Sequence, residues 1–119
     1  MKEFYNIIMK IAIVPENMKV LIFREQYFVV AQCLNYDICA QGDSVEEAKD
    51  SFLRVFISQC FLYKKYEHRM PGKAPQYLWD AWEDESDFSR ELWGEQVDVE
   101  FIDKWVPTKA ELESIEITE

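Results

Sequence analysis

The chain has 119 residues, 49% of them hydrophobic and 15% aromatic, which is enough apolar material for one compact domain and argues against a disordered chain. The formal net charge is −10, and residues 80–119 hold 14 Asp and Glu against 3 Lys and Arg. This balance predicts repulsion from nucleic acid, with no direct nucleic-acid contact, and fast approach to a basic partner; a purely solubilising acidic surface is the competing interpretation.

Residues 1–17 form a predicted N-terminal extension, either a strand or a helix. Its apolar residues alternate over residues 6–14, NIIMKIAIV, which favours a strand. The run contains Lys10 and stops at Pro15, so it is shorter than the about 20 residues that cross a bilayer, and no small-residue cleavage site follows it. We therefore expect a cytoplasmic protein with no signal peptide, no anchor and no membrane contact.

Three strands are predicted at about 18–24, 27–34 and 37–41, with a two-residue turn at Asn35 and Tyr36 between the last two. The connections are too short for crossovers, so the strands form an antiparallel meander. Both faces of strand 27–34 are largely apolar, and a first helix covers only one of them. The second helix, a second subunit or a partner protein should cover the other face, and the doubly apolar hairpin favours a homodimer.

The three cysteines, Cys33, Cys39 and Cys60, lie in apolar stretches without a C-x-x-C pair or a nearby histidine. This setting predicts reduced thiols rather than a zinc site. A disulfide between Cys33 and Cys39 is the alternative, since the two would face each other across the predicted hairpin.

The first helix is predicted over residues 45–66 because the side chains of Ser44 and Glu47 can each bond the amide of the other residue, which makes a capping box. A functional interpretation would make Asp43, Glu46 and Glu47 metal ligands or acid/base groups, but capping and the helix dipole already explain all three carboxylates. The stripe predicted to face the sheet consists of Val45, Ala48, Phe52, Val55, Phe56, Cys60 and Tyr63.

A basic patch follows at the end of this helix. Cations are expected there because the helix dipole is negative at its C-terminus, and a phosphate or RNA contact is the alternative. The patch consists of Lys64, Lys65, His68, Arg69 and Lys73.

A second helix is predicted from Pro75, which suits a first turn, as far as Gly94. Its apolar residues keep rough helical spacing and are interpreted as core rather than as a base-stacking platform, because acidic residues surround them. These apolar residues are Leu78, Trp79, Trp82, Phe88 and Leu92. Two weak edge strands are predicted further along, from the alternation over 97–101 and over 115–117.

The groups that common enzyme mechanisms need are missing from the sequence. The only histidine, His68, lies in a charged helix end, and 3 glycines do not make a phosphate-cradling loop. Asp37 is the one acidic residue in the hairpin, whereas a two-metal nuclease needs several carboxylates at the centre of its sheet. We therefore predict no enzymatic activity, no metal and no cofactor, and an enzyme with an uncommon site at Asp37 or His68 is the alternative.

The segment 27–48, YFVVAQCLNYDICAQGDSVEEA, resembles the HicB-like antitoxin family, whose strands read as an aromatic run, then AQCL-x-YDI-x-x-QG, then a cap followed by EEA. The resemblance covers about residues 18–93 and continues in APQYLWDAWE at 74–83, after a proline-containing linker. It implies an α+β fold of the partial RNase H type, with an antiparallel sheet of three to four strands packed with two helices. The HicB-like domain would span 18–93, and 94–119 would be an acidic C-terminal segment packed on or flanking it.

HicB-like proteins typically neutralise a small mRNA-cleaving toxin of the HicA type by covering its active site, and many add a C-terminal DNA-binding segment. After Gly94 this chain has no recognisable helix-turn-helix or ribbon-helix-helix, so operator binding is not expected. The resemblance and the acidic final third together predict a non-enzymatic inhibitor that masks a basic RNA-handling surface. The predicted partner-binding residues are Asp80, Glu83, Asp84, Glu85, Asp87, Glu91 and Glu95.

A second hypothesis fits the small size, the acidity and the missing catalytic groups equally well. It is a phage or mobile-element protein of the anti-CRISPR kind, which imitates the charge of nucleic acid and so inhibits a host defence nuclease.

Overall fold

The computed structural model of the protein describes residues 17–66, 69–92 and 94–115, so nearly all of the predicted N-terminal extension lies outside the described residues. The strands are β1 Val20–Glu25, β2 Phe28–Cys33, β3 Cys39–Gly42, β4 Arg90–Leu92, β5 Glu95–Val97 and β6 Val99–Trp105. The helices are α1 Val45–Tyr66, α2 Gln76–Glu83 and α3 Lys109–Glu113, with a 3₁₀ turn at Glu85–Asp87. The fold class is α+β, as predicted.

The main sheet has four antiparallel strands in the order β3-β2-β1-β6, and β4 pairs with β5 in a separate two-stranded sheet. The predicted meander is confirmed, with strand ends shifted by a few residues. The edge strand predicted over 97–101 is confirmed in part, since residues 99–101 lie in β6, which pairs with β1 at one edge of the sheet, whereas Val97 ends β5 of the separate sheet. Within the segment 94–119, predicted to be packed on or flanking the domain, β6 supplies the fourth strand of the sheet.

One face of the sheet packs against α1. Val20 and Ile22 of β1 and the inward residues of β2 meet Phe52 and Phe56, which are fully buried. The Phe52 ring stacks on Phe56 at 5.9 Å between centroids and meets Trp105 of β6 edge-on at 5.8 Å. Burying each such side chain contributes about 1.5–3 kcal/mol. This layer is the larger part of the core because it contains more buried residues than the layer on the opposite face.

The opposite face packs against α2. Leu21 and Phe23 of β1, with Val30 of β2, form a second buried cluster that includes Leu78 and Ala81 of α2. The sequence left three candidates for the element that covers this face, and the structure shows that it is the second helix of the same chain. The homodimer stays a prediction. The apolar face that suggested it is covered by residues of the same chain.

The bounds of α1 are as predicted, but the helix is rotated relative to the predicted stripe. Val55 and Tyr63 are 38% and 37% exposed, while Leu53 and Ile57 are buried. The buried residues at 48, 52, 53, 56, 57 and 60 follow the three- and four-residue spacing of one helix face, displaced toward Leu53. Spacing alone could not choose between the two flanks, because both are apolar.

The predicted second helix is too long. It ends at Glu83, where Asp84 takes an extended conformation with φ −146° and ψ 103°, and the chain continues as the 3₁₀ turn and then β4. The last turn of α2 has no basic residue, and carboxylates at a helix C-terminus oppose the negative end of its dipole. The Asp84 side chain instead accepts a hydrogen bond from the Ser86 amide, so this backbone amide has its hydrogen-bond partner outside the helix.

Near the end of the described residues, the structure differs from the predicted edge strand at Ile115. Residues 109–113 form α3, where Thr108 and Glu111 make a capping box, and Ile115 is buried just after this helix instead of lying in an edge strand. Ile117 lies outside the described residues.

The two cysteines of the hairpin do not face each other. Cys39 pairs with Gln32 in the β2–β3 register, so Cys33 points into the core while Cys39 is exposed, and all three cysteines are free thiols. Burial raises the pKa of Cys33 and raises that of Cys60 to about 12, which keeps both thiols protonated and unreactive at neutral pH. The loop between β2 and β3 is also longer than the predicted two-residue turn.

The junction before α1 is a modified capping box. The Glu47 amide donates to Ser44 Oγ at 3.2 Å, as predicted, but the Glu47 carboxylate accepts from the Asp43 amide at 2.8 Å and not from that of Ser44. Gly42 lies so close to this turn that an added Cβ would sit 2.6 Å from Glu47 Cβ and 2.7 Å from Ala48 N.

Replacing Gly42 with alanine is therefore expected to lower the free energy of unfolding by about 1–3 kcal/mol, because backbone and Cβ atoms would have to move. Gly72→Ala is the matched control, since nothing lies within 4 Å of its added Cβ. Urea titration of both variants measures the difference. Equal stability of the two variants would contradict the close approach at Gly42.

Candidate interaction surface around α2

The linker before α2 is tied to the sheet by backbone hydrogen bonds. The Ala74 amide donates to Leu34 O at 2.9 Å, and the Asp37 amide donates to Gly72 O at 2.7 Å. Pro75 then occupies the N-cap of α2 with φ −56°, one residue before the first turn in which it was predicted. The position of α2 on the sheet is thus set before its first turn begins.

The outer side of α2 is acidic. Leu78 and Ala81 point into the core and the two tryptophans of α2 are half-buried, whereas Asp80 and Glu83 are exposed to solvent. The exposed carboxylates within this short segment, which we call the acidic band, are Asp80, Glu83, Asp84 and Glu85. The sequence prediction grouped three more residues with them. Glu95 is exposed at the start of β5, and the side chains of Asp87 and Glu91 lie outside the described part of the structure.

Asp84 is the best-fixed carboxylate of the acidic band. The Ser86 hydroxyl donates to Asp84 Oδ1 at 2.7 Å and the Ser86 amide donates to the same oxygen at 3.1 Å. These two bonds, helped by the positive charge of Lys104, hold the pKa of Asp84 below its usual range. Asp84 therefore stays charged well below neutral pH.

Lys104 of β6 connects the acidic band to the sheet. Its ammonium lies 3.5 Å from Glu85 Oε2, and both side chains are partly exposed, so the ion pair is worth at most about 1 kcal/mol. The β1–β6 register shifts between Ile22 and Phe23, whose partners are Asp103 and Phe101. This β-bulge lets Phe101 and Lys104, three residues apart, both lie on the α2 side of the sheet.

Lysines from three distant parts of the chain converge on the two tryptophans of α2. The Lys19 ammonium lies 5.6 Å from the Trp79 ring centroid and 5.5 Å from that of Trp82. Lys73 lies 5.8 Å from Trp79, and Lys104 lies 5.7 Å from Trp82. We call this row, Lys73-Trp79-Lys19-Trp82-Lys104, the lysine–tryptophan ladder. Each exposed contact of this kind contributes about 0.5–1 kcal/mol.

The ladder adds lysines to the surroundings of the two tryptophans. Trp79 and Trp82 pack against the second core cluster, as the core interpretation predicts, and lysine ammonium groups lie over their rings. The predicted basic patch is also divided. Lys73 belongs to the ladder, whereas Lys65 lies over the Phe61 and Tyr66 rings at the end of α1, and His68 is outside the described residues.

Two open cavities flank α2. One, of about 200 Å³, is lined by Tyr77, Asp80, Ala81, Asp84, Phe88 and Ser89. The other, of about 330 Å³, is lined by Lys73, Ala74, Gln76 and Trp79. One flank of this eight-residue helix is therefore acidic and aromatic, and the other is basic and aromatic.

Two carboxylates of the alternative sites, Asp37 and Glu47, have structural explanations. Asp37 accepts a hydrogen bond from Gln32 Nε2 at 2.9 Å, which satisfies a buried amide, and Glu47 caps α1. In the ranges 17–66, 69–92 and 94–115, no three His, Cys, Asp or Glu residues are placed to hold a metal ion. Within the same ranges, no helix has the length and apolar character needed to cross a bilayer.

These features define the class of the protein as a single α+β chain whose short second helix separates an acidic surface from a basic and aromatic one. Comparison with protein-family models, with curated proteins and with solved structures gave no match. Membership of the HicB-like family therefore stays a prediction from the sequence motifs.

Removing the Ser86 hydroxyl is expected to move the pKa of Asp84 upward, toward the usual range for aspartate, because the shorter of its two hydrogen bonds is lost. Titration of the Asp84 carboxyl carbon by NMR in Ser86→Ala measures this change. Ser89→Ala, which alters the same cavity without a bond to Asp84, should leave the titration as it is. An unchanged Asp84 pKa in Ser86→Ala would contradict the arrangement.

Proposed function

We propose that the protein is a non-enzymatic binding module that masks the basic, RNA-handling surface of a partner protein, in the way that HicB-like antitoxins cover HicA-type toxins. The observation that carries this proposal is the acidic band, which places four exposed carboxylates within residues 80–85. The sequence motifs at 27–48 and 74–83 support the same conclusion. A partner that handles RNA would place this activity in the cytoplasm.

The acidic band is suited to fast association with a cationic surface. Its charges come from one segment of the molecule, and charges that are grouped in this way steer a partner of opposite sign toward them. The band is also well supported, since Leu78 and Ala81 anchor α2 to the sheet and Ser86 fixes Asp84. Groups that are already ordered lose less conformational entropy when they bind, which favours affinity.

The same acidic band supports the second hypothesis, in which the partner is a host defence nuclease. Carboxylates in series on an exposed segment resemble the repeated negative charges of a nucleic-acid strand, so a nuclease groove that binds phosphates would also attract them. Affinity capture followed by mass spectrometry distinguishes the two partners, because the first hypothesis expects a small toxin RNase and the second a nuclease assembly.

Reversing two charges of the acidic band tests the proposed surface. In Asp80→Lys with Glu83→Lys, the association rate with the captured partner is expected to fall by about tenfold or more, and the rate should depend less on salt. Stopped-flow or surface-binding kinetics over a series of salt concentrations measures both effects.

The matched control is Glu46→Lys with Glu113→Lys, which changes the net charge equally at exposed positions on α1 and α3. This control should keep most of the association rate. Equal slowing of both double variants would show that net charge alone acts, and an unaffected Asp80 and Glu83 variant would place the contact elsewhere.

A further inference from the structure

We propose that the lysine–tryptophan ladder is a binding site for single-stranded nucleic acid, with unpaired bases against the indole rings and phosphates against the lysine ammonium groups. This site lies on the basic flank of α2, outside the acidic band, and goes beyond the proposed function.

The first support is the alternation of charge and aromatic surface. Single-stranded nucleic acid presents phosphates and flat bases in turn, and proteins that bind it without reading its sequence combine cations along the backbone with aromatic platforms for the bases. In the ladder, three ammonium groups alternate with two indoles. Each ammonium group lies 5.5–5.8 Å from the ring centroid of the indole next to it in the row. Both tryptophans are half-buried, so each ring is held in place and still partly accessible.

The second support is that the row is built on secondary structure. Lys19 immediately precedes β1 and its amide donates to Asn35 Oδ1 at 2.8 Å, while Lys104 lies in β6. Trp79 and Trp82 lie on α2, one turn apart. Lys73 lies in the linker that is bonded to Leu34 through its neighbour Ala74. The separate elements therefore hold the lysines and the indoles in one row before any ligand arrives, and a bound base would displace an ammonium group from the face of an indole ring.

The third support is the cavity at one end of the ladder. Its volume of about 330 Å³ falls in the range of about 300–1,000 Å³ that is usual for small-molecule sites. Lys73, Gln76 and Trp79 are among the residues that line it. Gln76 Nε2 donates to Asp80 Oδ1 at 3.1 Å, so its carbonyl oxygen remains an acceptor for the amino group of a base.

The acidity of the chain limits this binding without preventing it. Asp80 and Glu83 lie on the same helix as the two indoles, so salt, which screens fields over about 8 Å under physiological conditions, reduces their repulsion of phosphates only in part. Of the acidic band, Glu85 pairs with Lys104 of the ladder, and Asp84 also interacts electrostatically with this lysine. We therefore expect binding that is short-ranged and sensitive to salt. In a duplex the bases are stacked inside the helix and cannot contact the indoles, so we expect duplexes to bind more weakly than single strands.

The test uses the full chain and unstructured oligonucleotides of about 16 nucleotides, one of deoxythymidine and one of uridine, so that DNA and RNA are compared. Binding is followed by tryptophan fluorescence and by the anisotropy of a labelled strand. If three lysines contact phosphates, the slope of log affinity against log salt should be about −2, which is an about 16-fold loss between 50 and 200 mM.

The variants separate the ladder from lysine loss in general. Lys73→Ala is expected to reduce the slope by about 0.7 and to weaken the fluorescence change. Lys49→Ala is the matched control, because Lys49 also lies over an indole, that of Trp105 at 5.1 Å, but on the α1 side of the sheet. It should bind like the unmodified chain, and circular dichroism verifies that both variants fold.

Preference for RNA or for DNA would identify the source of the strand, and equal affinity would show that the shared chemistry suffices. The proposal is overturned by an absence of binding at 50 mM salt or by equal losses in Lys73→Ala and Lys49→Ala. Duplex binding as tight as single-strand binding would also overturn it. So would polyglutamate that displaces the strand while producing the same fluorescence change, since the site would then fit an acidic protein.

Discussion

The structure depends on one constraint, which is that the paired strands β1 and β2 are apolar on both faces. Val20 and Ile22 point toward α1, while Leu21 and Phe23 point to the other side, so neither face can be left to water. α1 covers the first face with a long amphipathic stripe. The second is covered by α2, which has only eight residues and buries Leu78 and Ala81. A short helix that is fixed on its inner side has its outer side and both flanks available for contacts.

The separation of charge around α2 follows from this packing. The carboxylates of the helix face outward. Its tryptophans lie along the flank where they contact Lys104 of β6, Lys73 of the linker before α2 and Lys19, which precedes β1. Net charge describes this molecule poorly. A chain with charge −10 has a basic, aromatic strip beside an acidic band, and the two surfaces would select different partners. The proposed protein partner and the proposed nucleic-acid strand therefore need not compete for the same residues.

The parts of the fold that were predictable are those with local signals. The capping residues Ser44 and Glu47 fixed the start of α1, and the alternating strands with short connections indicated the meander. The end of α2 was not predictable from periodicity, because Asp84 leaves the helix to bond Ser86 and rough apolar spacing continues past it. The ladder could not be predicted at all, since Lys19, Lys73 and Lys104 are brought together only by the sheet order and a β-bulge. The acidic residues were easier to find, because four of them are close in sequence.

The central claim is that α2 closes the second face of the sheet within one chain. Isotope-filtered NOE spectroscopy on a mixture of labelled and unlabelled protein tests it most directly, because it separates contacts inside a chain from contacts between chains. The structure predicts NOEs from the Leu78 methyl groups to Leu21, Val30 or Leu34 that arise only within a chain. NOEs that connect Leu78 of one chain to the sheet of another, or no NOEs between α2 and the sheet, would contradict the account.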